Sequence, residues 1–396
     1  MFQHVEAYPG DPILTLNEDF QKDPNPGKIN LSIGIYFDDA GLLPVMGAVR
    51  AAESALLANV GPKPYLPMAG APDYRQAIQH LLFGAEHAAV KAGRIVTVQT
   101  LGGSGALKVG GDFLKRYFPA SQVWVSDPTW DNHRAMFEGC GFQVNTYPYY
   151  DPATKGLRFD AMLDAIRGLA PQSIVLLHAC CHNPTGVDLT TAQWDQLIPV
   201  LRERQLIAFV DIAYQGFGDG IDEDAYALRA LASAEVPTLV ANSFSKSFSL
   251  YGERVGGLSV VCPDTTQAAA VLGQLMACVR RNYSSPPTHG ARIVAAVLGN
   301  PGLRQQWADE LSAMRVRIQA MRERLLAGVE AKLPGRDVKY FVTQRGMFSY
   351  TGLSPEQVDV LRHQHGVYVL RSGRMCAAGL NVNNVDAVAE ALARVL

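Results

Sequence analysis

One lysine stands apart from the other nine. Lys246 sits in Ser243-Phe244-Ser245-Lys246-Ser247-Phe248-Ser249, just after an apolar run, whereas most lysines lie in polar stretches. A lysine at the end of a buried strand is partly desolvated, and Arg254 follows eight residues later. Both effects depress an amine's pKa and favour the free base that forms a Schiff base with an aldehyde. Position alone leaves a second reading open, a lysine paired with a carboxylate at a sheet edge. Asp211 also ends an apolar run, and a carboxylate there requires a cation. The protonated ring nitrogen of pyridoxal phosphate is such a cation, and the ring then acts as an electron sink. Tyr214, three residues on, and Asn183, after the preceding run, can reach the phenolic oxygen of that ring. Trp130 can stack on a flat ring or simply fill core.

Two kinds of anion site accompany these residues. In Gly102-Gly103-Ser104-Gly105 the glycines let backbone N–H groups approach an anion, and Ser104 can cap the helix that follows. Such a loop is also a common strand-to-helix turn. It fits neither the dinucleotide nor the P-loop pattern, since Lys108 stands where the third glycine belongs and no Gly-Lys-Ser/Thr occurs. Arg374, in Ser372-Gly373-Arg374-Met375, has the planar fork that holds a carboxylate bidentately. Arg280 and Arg281 can serve a second carboxylate or a phosphate. An arginine taken without context also reads as a solvated surface group.

The elements that must position these groups follow from patterning. Short β-rich runs at 95–99, 123–126, 143–147, 173–177, 206–211, 238–242 and 257–261 alternate with helical stretches such as 104–118 and 190–204. Several runs are nearly continuous in Val, Ile and Leu, as in strands of a parallel sheet buried on both faces. The expected fold is α/β: a large, doubly wound, mainly parallel sheet domain and a smaller α+β domain. In such sheets ligands bind beyond the carboxyl ends of the strands, where all the chemistry-bearing residues above fall. Leu303, Trp307, Leu311, Met314, Ile318, Met321 and Leu325 recur at steps of four and three and mark a long helix between Pro301-Gly302 and Pro334-Gly335. Asn381 to Asn384 signal the start of the last helix. The expected division is 1–43 as an N-terminal arm with part of the small domain, 44–312 as the large cofactor-binding domain, and 313–396 as the small domain.

Bulk properties exclude other classes. The chain has 396 residues, 48% of them hydrophobic, and a net charge of −2. That suits two globular domains and disfavours nucleic acid as a partner. No basic segment followed by an apolar run opens the sequence and no apolar stretch reaches membrane length, so a cytoplasmic protein with no membrane partner is expected. The six cysteines form no spaced framework and read as reduced core thiols. His178-Ala179-Cys180-Cys181-His182 matches no usual zinc spacing, and no metal is expected.

Taken together, Ser243-x-Ser245-Lys246 with Arg254, Asn183-Pro184-Thr185-Gly186, Asp211-x-x-Tyr214 and Ser372-Gly373-Arg374 resemble the class I aminotransferases of fold type I. The likeness runs from Asp11 to the last helix. It is nearest the aspartate/aromatic-amino-acid subgroup. Tyr65-Leu66-Pro67-Met68, the stretch from Thr100 to Leu107, Arg280 to Pro287 and Gly373-Arg374-Met375-Cys376 are similar to its bacterial tyrosine (aromatic) branch.

The resemblance implies pyridoxal 5'-phosphate as cofactor, and roles at matching positions. Lys246 holds the cofactor and shuttles the substrate Cα proton. Asp211, backed by His133, pairs with the ring nitrogen; Asn183 and Tyr214 contact the ring oxygen; Trp130 stacks on the ring. Gly103, Ser104, Ser243, Ser245 and Arg254 hold the phosphate, joined by Tyr65 from a second subunit. Arg374, the Gly34 backbone and Asn183 hold the substrate α-carboxylate, with Trp130 alongside. Arg280 of the second subunit holds a side-chain carboxylate, so a homodimer with a shared site is implied. The implied reaction is ping-pong transfer of an amino group between tyrosine or phenylalanine, and also aspartate, and 2-oxoglutarate; the alternative is an aspartate-preferring aminotransferase. Ser285 stands where aspartate aminotransferases commonly carry asparagine, which loosens the distal pocket and fits aromatic substrates. Arg371 stands where a small residue is expected and adds positive charge near the site. A nicotinamide dehydrogenase lacks its third glycine here, and a regulator with an aminotransferase-like domain needs a DNA-binding extension that the pattern, starting by Asp11, leaves no room for.

Overall fold

The structure, a computed structural model, describes residues 1–8 and 10–396. Its contacts divide the chain into a large unit, Pro44–Arg317 with Gln344–Gly346, and a small unit, Met1–Leu43, Ile318–Thr343 and Met347–Leu396.

The large unit is built on a seven-stranded sheet. Its order is Ile95–Leu101, Val255–Val261, Thr238–Ser243, Ile207–Ile212, Ile174–His178, Val123–Asp127, Val144–Pro148. Val255–Val261 runs antiparallel to both neighbours, and the other strands run parallel. Every residue of Ile207–Ile212, Thr238–Ser243 and Val255–Val261 is buried, which is why those runs are continuously apolar or small. The edge strand Val144–Pro148 mixes buried and exposed positions. Helices between the strands cover the sheet. Gly102–Tyr117 lies directly on its centre, where Gly110 is required: a Cβ there would meet Phe209 Cζ at 2.5 Å. Thr191–Glu203 opens with a capping box in which Thr190 and Gln193 satisfy each other's backbone N–H.

The long helix Pro301–Glu330 has the length its apolar recurrence requires. In the small unit, strand Ile29–Asn30 pairs with Val367–Tyr368 in parallel, and Phe348–Tyr350 pairs with Arg374–Cys376 antiparallel. The Asp11 side chain caps helix Pro12–Lys22 by accepting from the N–H groups of Ile13 and Leu14. Asn384 stands at the N-cap position of the final helix, Val385–Val395, with its side chain turned back to accept from the Asn381 N–H rather than from the helix. Among the described residues, no helix is long and apolar enough to cross a membrane.

Candidate active site

The carboxyl ends of the parallel strands gather most of the expected residues of the large unit. Asp211 is the penultimate residue of Ile207–Ile212 and is buried. His133, fully buried on helix Asp131–Gly139, places Nε2 2.9 Å from Asp211 Oδ2 and Nδ1 2.9 Å from Thr129 Oγ1. A ring that donates Nε2–H to Asp211 leaves Nδ1 to accept the Thr129 hydroxyl, so Thr129 fixes the tautomer. Burial pushes the Asp211 carboxyl up. The His133 hydrogen bond, with favourable electrostatics from His133, His178 and Lys246, outweighs that and holds it below the ordinary range. Asp211 is thus kept as an anion in a buried setting, poised for a cationic partner.

Lys246 is half-buried, and its Nζ lies 5.1 Å from the centre of the Tyr214 ring. The chain around it forms a single tight turn, with the Phe248 N–H donating to Phe244 O (3.2 Å) and the Ser249 N–H to Lys246 O (3.1 Å). An aromatic ladder supports that turn: Tyr74 to Phe244 at 6.0 Å, Phe244 to Phe248 at 5.2 Å, and Phe248 stacked on Trp307 at 4.7 Å. The indole N–H of Trp307 donates to the Ser247 carbonyl at 2.7 Å. The lysine's neighbours are therefore pinned from below by the ladder and the Trp307 hydrogen bond.

An anion cradle lies at the same end of the sheet. Ser243 Oγ donates to Ser245 Oγ at 3.1 Å, and Arg254 Nη1 reaches Ser245 Oγ at 3.4 Å. Arg254 precedes Val255–Val261, and because that strand is antiparallel, its start lies beside the ends of its neighbours, Val255 opposite Leu101 and Gly256 opposite Ser243. Gly102 has φ +65°, and a Cβ there would meet Arg254 Nη2 at 2.7 Å; one on Gly103 would meet Ser243 Cβ at 3.3 Å. Only glycines leave this space open. One expectation is corrected here. Helix Gly102–Tyr117 starts two residues before Ser104, so Ser104 lies within its first turn rather than capping it. Its N–H then belongs to the unbonded donors of the helix N-terminus.

The loop after Ile174–His178 carries Asn183, which is buried. Asp188 clamps this loop by accepting from the N–H groups of Cys181 (2.7 Å) and His182 (2.8 Å). Burial, reinforced by Asp224, pushes the Asp188 carboxyl up to about 6, against those N–H bonds and Arg345. His182 is tied at both nitrogens, to Ser126 Oγ and Thr185 Oγ1 at 2.8 Å each, and stacks on Tyr149 at 4.1 Å. Burial drives its pKa well below the ordinary value, with His178 and His133 adding to the effect. His178 sits between the rings of His133 (5.2 Å) and His182 (4.2 Å), and burial with His133 pushes it down to about 3.

Thr129, His178, His182 and Asp188 were not assigned from the sequence. For the two histidines the signal was the run of two histidines and two cysteines, from which no metal was expected. His133, His178 and Asp211 do bring one ligand atom each within 4.8 Å of one another, as do Cys180, Cys181 and Asp224. Both nitrogens of His133 are already engaged by Asp211 and Thr129, as a charge-bearing polar network rather than a ligand set.

Trp130, half-buried, meets the His133 ring edge-on at 5.2 Å. Two expected residues of the large unit are exposed rather than buried with this group. Tyr65 is 94% exposed, and Arg280, at the end of helix Thr265–Asn282, is exposed and donates to Ser284 Oγ. Gly34 and Arg374 lie in the small unit. Arg374 is 3% exposed, donates from Nη2 to the Ser32 carbonyl at 2.8 Å, and places its guanidinium 4.3 Å over the Phe348 ring. Arg371 faces solvent and is held by Asp359 through a two-point bond of 3.2 and 2.7 Å.

Comparison with known proteins agrees with this geometry. The family model for aminotransferase class I and II matches residues 26–392. The aromatic-amino-acid aminotransferase of Escherichia coli (strain K12) is 60% identical over 397 residues, covering 100% of both chains. A crystal structure of an aromatic amino acid aminotransferase from Burkholderia cenocepacia J2315 matches with a TM-score of 0.97 at 66% identity, covering 100% of this chain and 98% of that one. An aromatic-amino-acid aminotransferase from Burkholderia pseudomallei, solved covalently bound to pyridoxal phosphate, matches with a TM-score of 0.98 at 52% identity, covering 100% and 99%. The fold, the cluster at the sheet edge and a family match over nearly its full length place this chain in the class I and II aminotransferase family.

Proposed function

We propose that this chain is an aromatic-amino-acid aminotransferase that uses pyridoxal 5'-phosphate. It would move the amino group between tyrosine or phenylalanine, and also aspartate, and 2-oxoglutarate in a ping-pong sequence. The observation that carries the reading is the placement of one amine, Lys246, beside a buried anion, Asp211, at a sheet edge that also gathers Ser243, Ser245 and Arg254. The 60% identity to an aromatic-amino-acid aminotransferase supports the substrate class.

The residues present fit the cofactor. Asp211, kept ionised by His133, would pair with the ring nitrogen and hold it protonated. Asn183 and Tyr214 would meet the ring oxygen, and Trp130 would lie on the ring face. The N–H groups of Gly103 and Ser104, the hydroxyls of Ser243 and Ser245, and Arg254 would hold the phosphate. Bound there, the cofactor supplies an electron sink for the charge that develops at substrate Cα. Lys246 Nζ would carry the cofactor at rest and, once displaced by substrate, take up and return the Cα proton as general base and acid. Arg374, with the Gly34 backbone and Asn183, would hold the α-carboxylate, and Arg280 would meet the distal carboxylate of aspartate or glutamate.

Tyr65 and Arg280 lie exposed, and their assignment would draw on a second copy of the chain. The exposed apolar side chains of Leu57, Val60, Tyr65 and Met68, clustered in one segment, support a homodimer that covers them.

Two measurements test the reading. Borohydride reduction in the presence of pyridoxal phosphate should place the label on Lys246, and Lys246→Ala should lose at least about 10²-fold in transamination while keeping its fold. Steady-state kcat/KM with 2-oxoglutarate as acceptor should favour tyrosine and phenylalanine over aspartate. A label elsewhere defeats the lysine assignment, and an aspartate preference beyond about tenfold replaces the substrate class.

A further inference from the structure

Phe348 sits where two groups assigned to the substrate α-carboxylate meet. Its ring is 2% exposed, and one face lies 4.3 Å from the Arg374 guanidinium carbon. Its tip faces Gly34: a Cβ on that glycine would lie 2.9 Å from Phe348 Cζ and 3.4 Å from Cε1. The ring is therefore bounded by the guanidinium on one side and by the Gly34 backbone at its tip. Its place is fixed from behind as well. Phe348 and Cys376 are opposed across the short antiparallel pair that also carries Arg374, opposite Tyr350. Arg322, itself 3% exposed, donates from Nη2 to the Phe348 carbonyl at 2.5 Å and from Nη1 to Ser349 Oγ at 2.6 Å and the Phe341 carbonyl at 2.8 Å.

A guanidinium this buried needs its orientation set by its neighbours, because water cannot average over it. An aromatic face attracts the cation and keeps the fork edge-on, the orientation a bidentate carboxylate requires. We propose that Phe348 is a positioning residue for carboxylate recognition: its ring orients Arg374 and sets the spacing between that guanidinium and the Gly34 backbone. The ligand class is the α-carboxylate of any amino or 2-oxo acid, whatever its side chain. This rests on the assignment of Arg374 and Gly34 to the α-carboxylate.

The test uses the holoenzyme with Phe348→Leu, which keeps an apolar side chain but removes the aromatic face, and Phe348→Tyr, which keeps the face but lengthens the tip toward Gly34. KM and kcat are measured for tyrosine and for aspartate. The dissociation constant of 3-phenylpropionate, a carboxylic acid with no amino group, is measured by calorimetry. In Phe348→Leu the KM of both donors and the 3-phenylpropionate constant should rise together, by about 3- to 30-fold, with kcat changed less than twofold. Phe348→Tyr should weaken all three as well. In an Arg374→Lys background, Phe348→Leu should add little further loss, because the orientation it provides is already wasted. A KM rise confined to tyrosine, unchanged 3-phenylpropionate binding, or full additivity with Arg374→Lys overturns the proposal. If Arg374→Lys itself leaves 3-phenylpropionate binding intact, the α-carboxylate assignment has failed, and that result is distinct from the others. Should Phe348→Leu lose its fold, Phe348→Met carries the same comparison.

Discussion

Asp188 should make this protein's stability fall as pH rises through the mildly acidic range. Its carboxyl is pushed up from 3.8 to about 6, chiefly by burial and then by Asp224, despite accepting the N–H groups of Cys181 and His182. The folded state then binds the Asp188 proton more tightly than the unfolded chain does. Between the unfolded value near 4 and the folded value near 6, unfolding releases a proton, so this group's contribution is fully present below about 4 and is lost as pH rises to about 6. The displacement of about 2 units corresponds to about 3 kcal/mol, of which about 2 kcal/mol falls between pH 4.5 and 7.5. Asp188→Asn carries a pH-independent cost, since its amide meets one backbone N–H donor to donor, but it cannot titrate. Urea unfolding, followed by tryptophan fluorescence at fixed protein concentration and saturating cofactor, isolates the group as the pH slope of wild type minus variant. The difference should shift against wild type by about 2 kcal/mol over that window. Parallel curves within about 0.5 kcal/mol would show that Asp188 does not titrate above its ordinary range and that the clamp is better hydrated than its burial implies.

Other perturbations probe the supports of the site. Trp307→Phe removes the donor to the Ser247 carbonyl and part of a buried ring, at about 1–3 kcal/mol for the orphaned acceptor and about 1 kcal/mol for the void; holoenzyme melting should drop by roughly 2–5 °C, and a change under about 1 °C contradicts the ladder's role. Gly103→Val fills the gap beside Ser243, so equilibrium dialysis should find pyridoxal phosphate held at least about tenfold more weakly, while the apoprotein melts within a few degrees of wild type. Arg374→Ala should raise KM for every amino acid donor, whereas Arg280→Ala should raise it for aspartate far more than for tyrosine; equal losses on both donors in the Arg280 variant would remove that residue from the distal pocket.

Much of the site was legible in the sequence because its residues sit at fixed offsets from strand ends. An apolar run that stops at Asp211, or at Ser243 just before Lys246, announces both a buried strand and the point where the chain emerges at the ligand-binding edge. One helix start was equally local: Asn381 to Asn384 announced the final helix, which begins at Val385. Ser104 misled because glycines with the right geometry let the helix begin three residues earlier than a side-chain cap would place it.

What the tertiary structure alone decided was which distant groups share an environment. Nothing near Val255–Val261 says that it is antiparallel, yet that direction brings Arg254 to the ends of the parallel strands. The His133–Asp211 bond joins residues 78 apart, the Trp307–Ser247 bond joins residues 60 apart, and Arg322 fixes Phe348 from a helix 26 residues away. Periodicity and capping are read within a few residues because the forces behind them act over one turn or one strand. Strand direction and partner choice are set by burial of the whole sheet, and protonation by whatever burial brings alongside. The sequence therefore named the candidate groups, and the fold determined their charge, orientation and support.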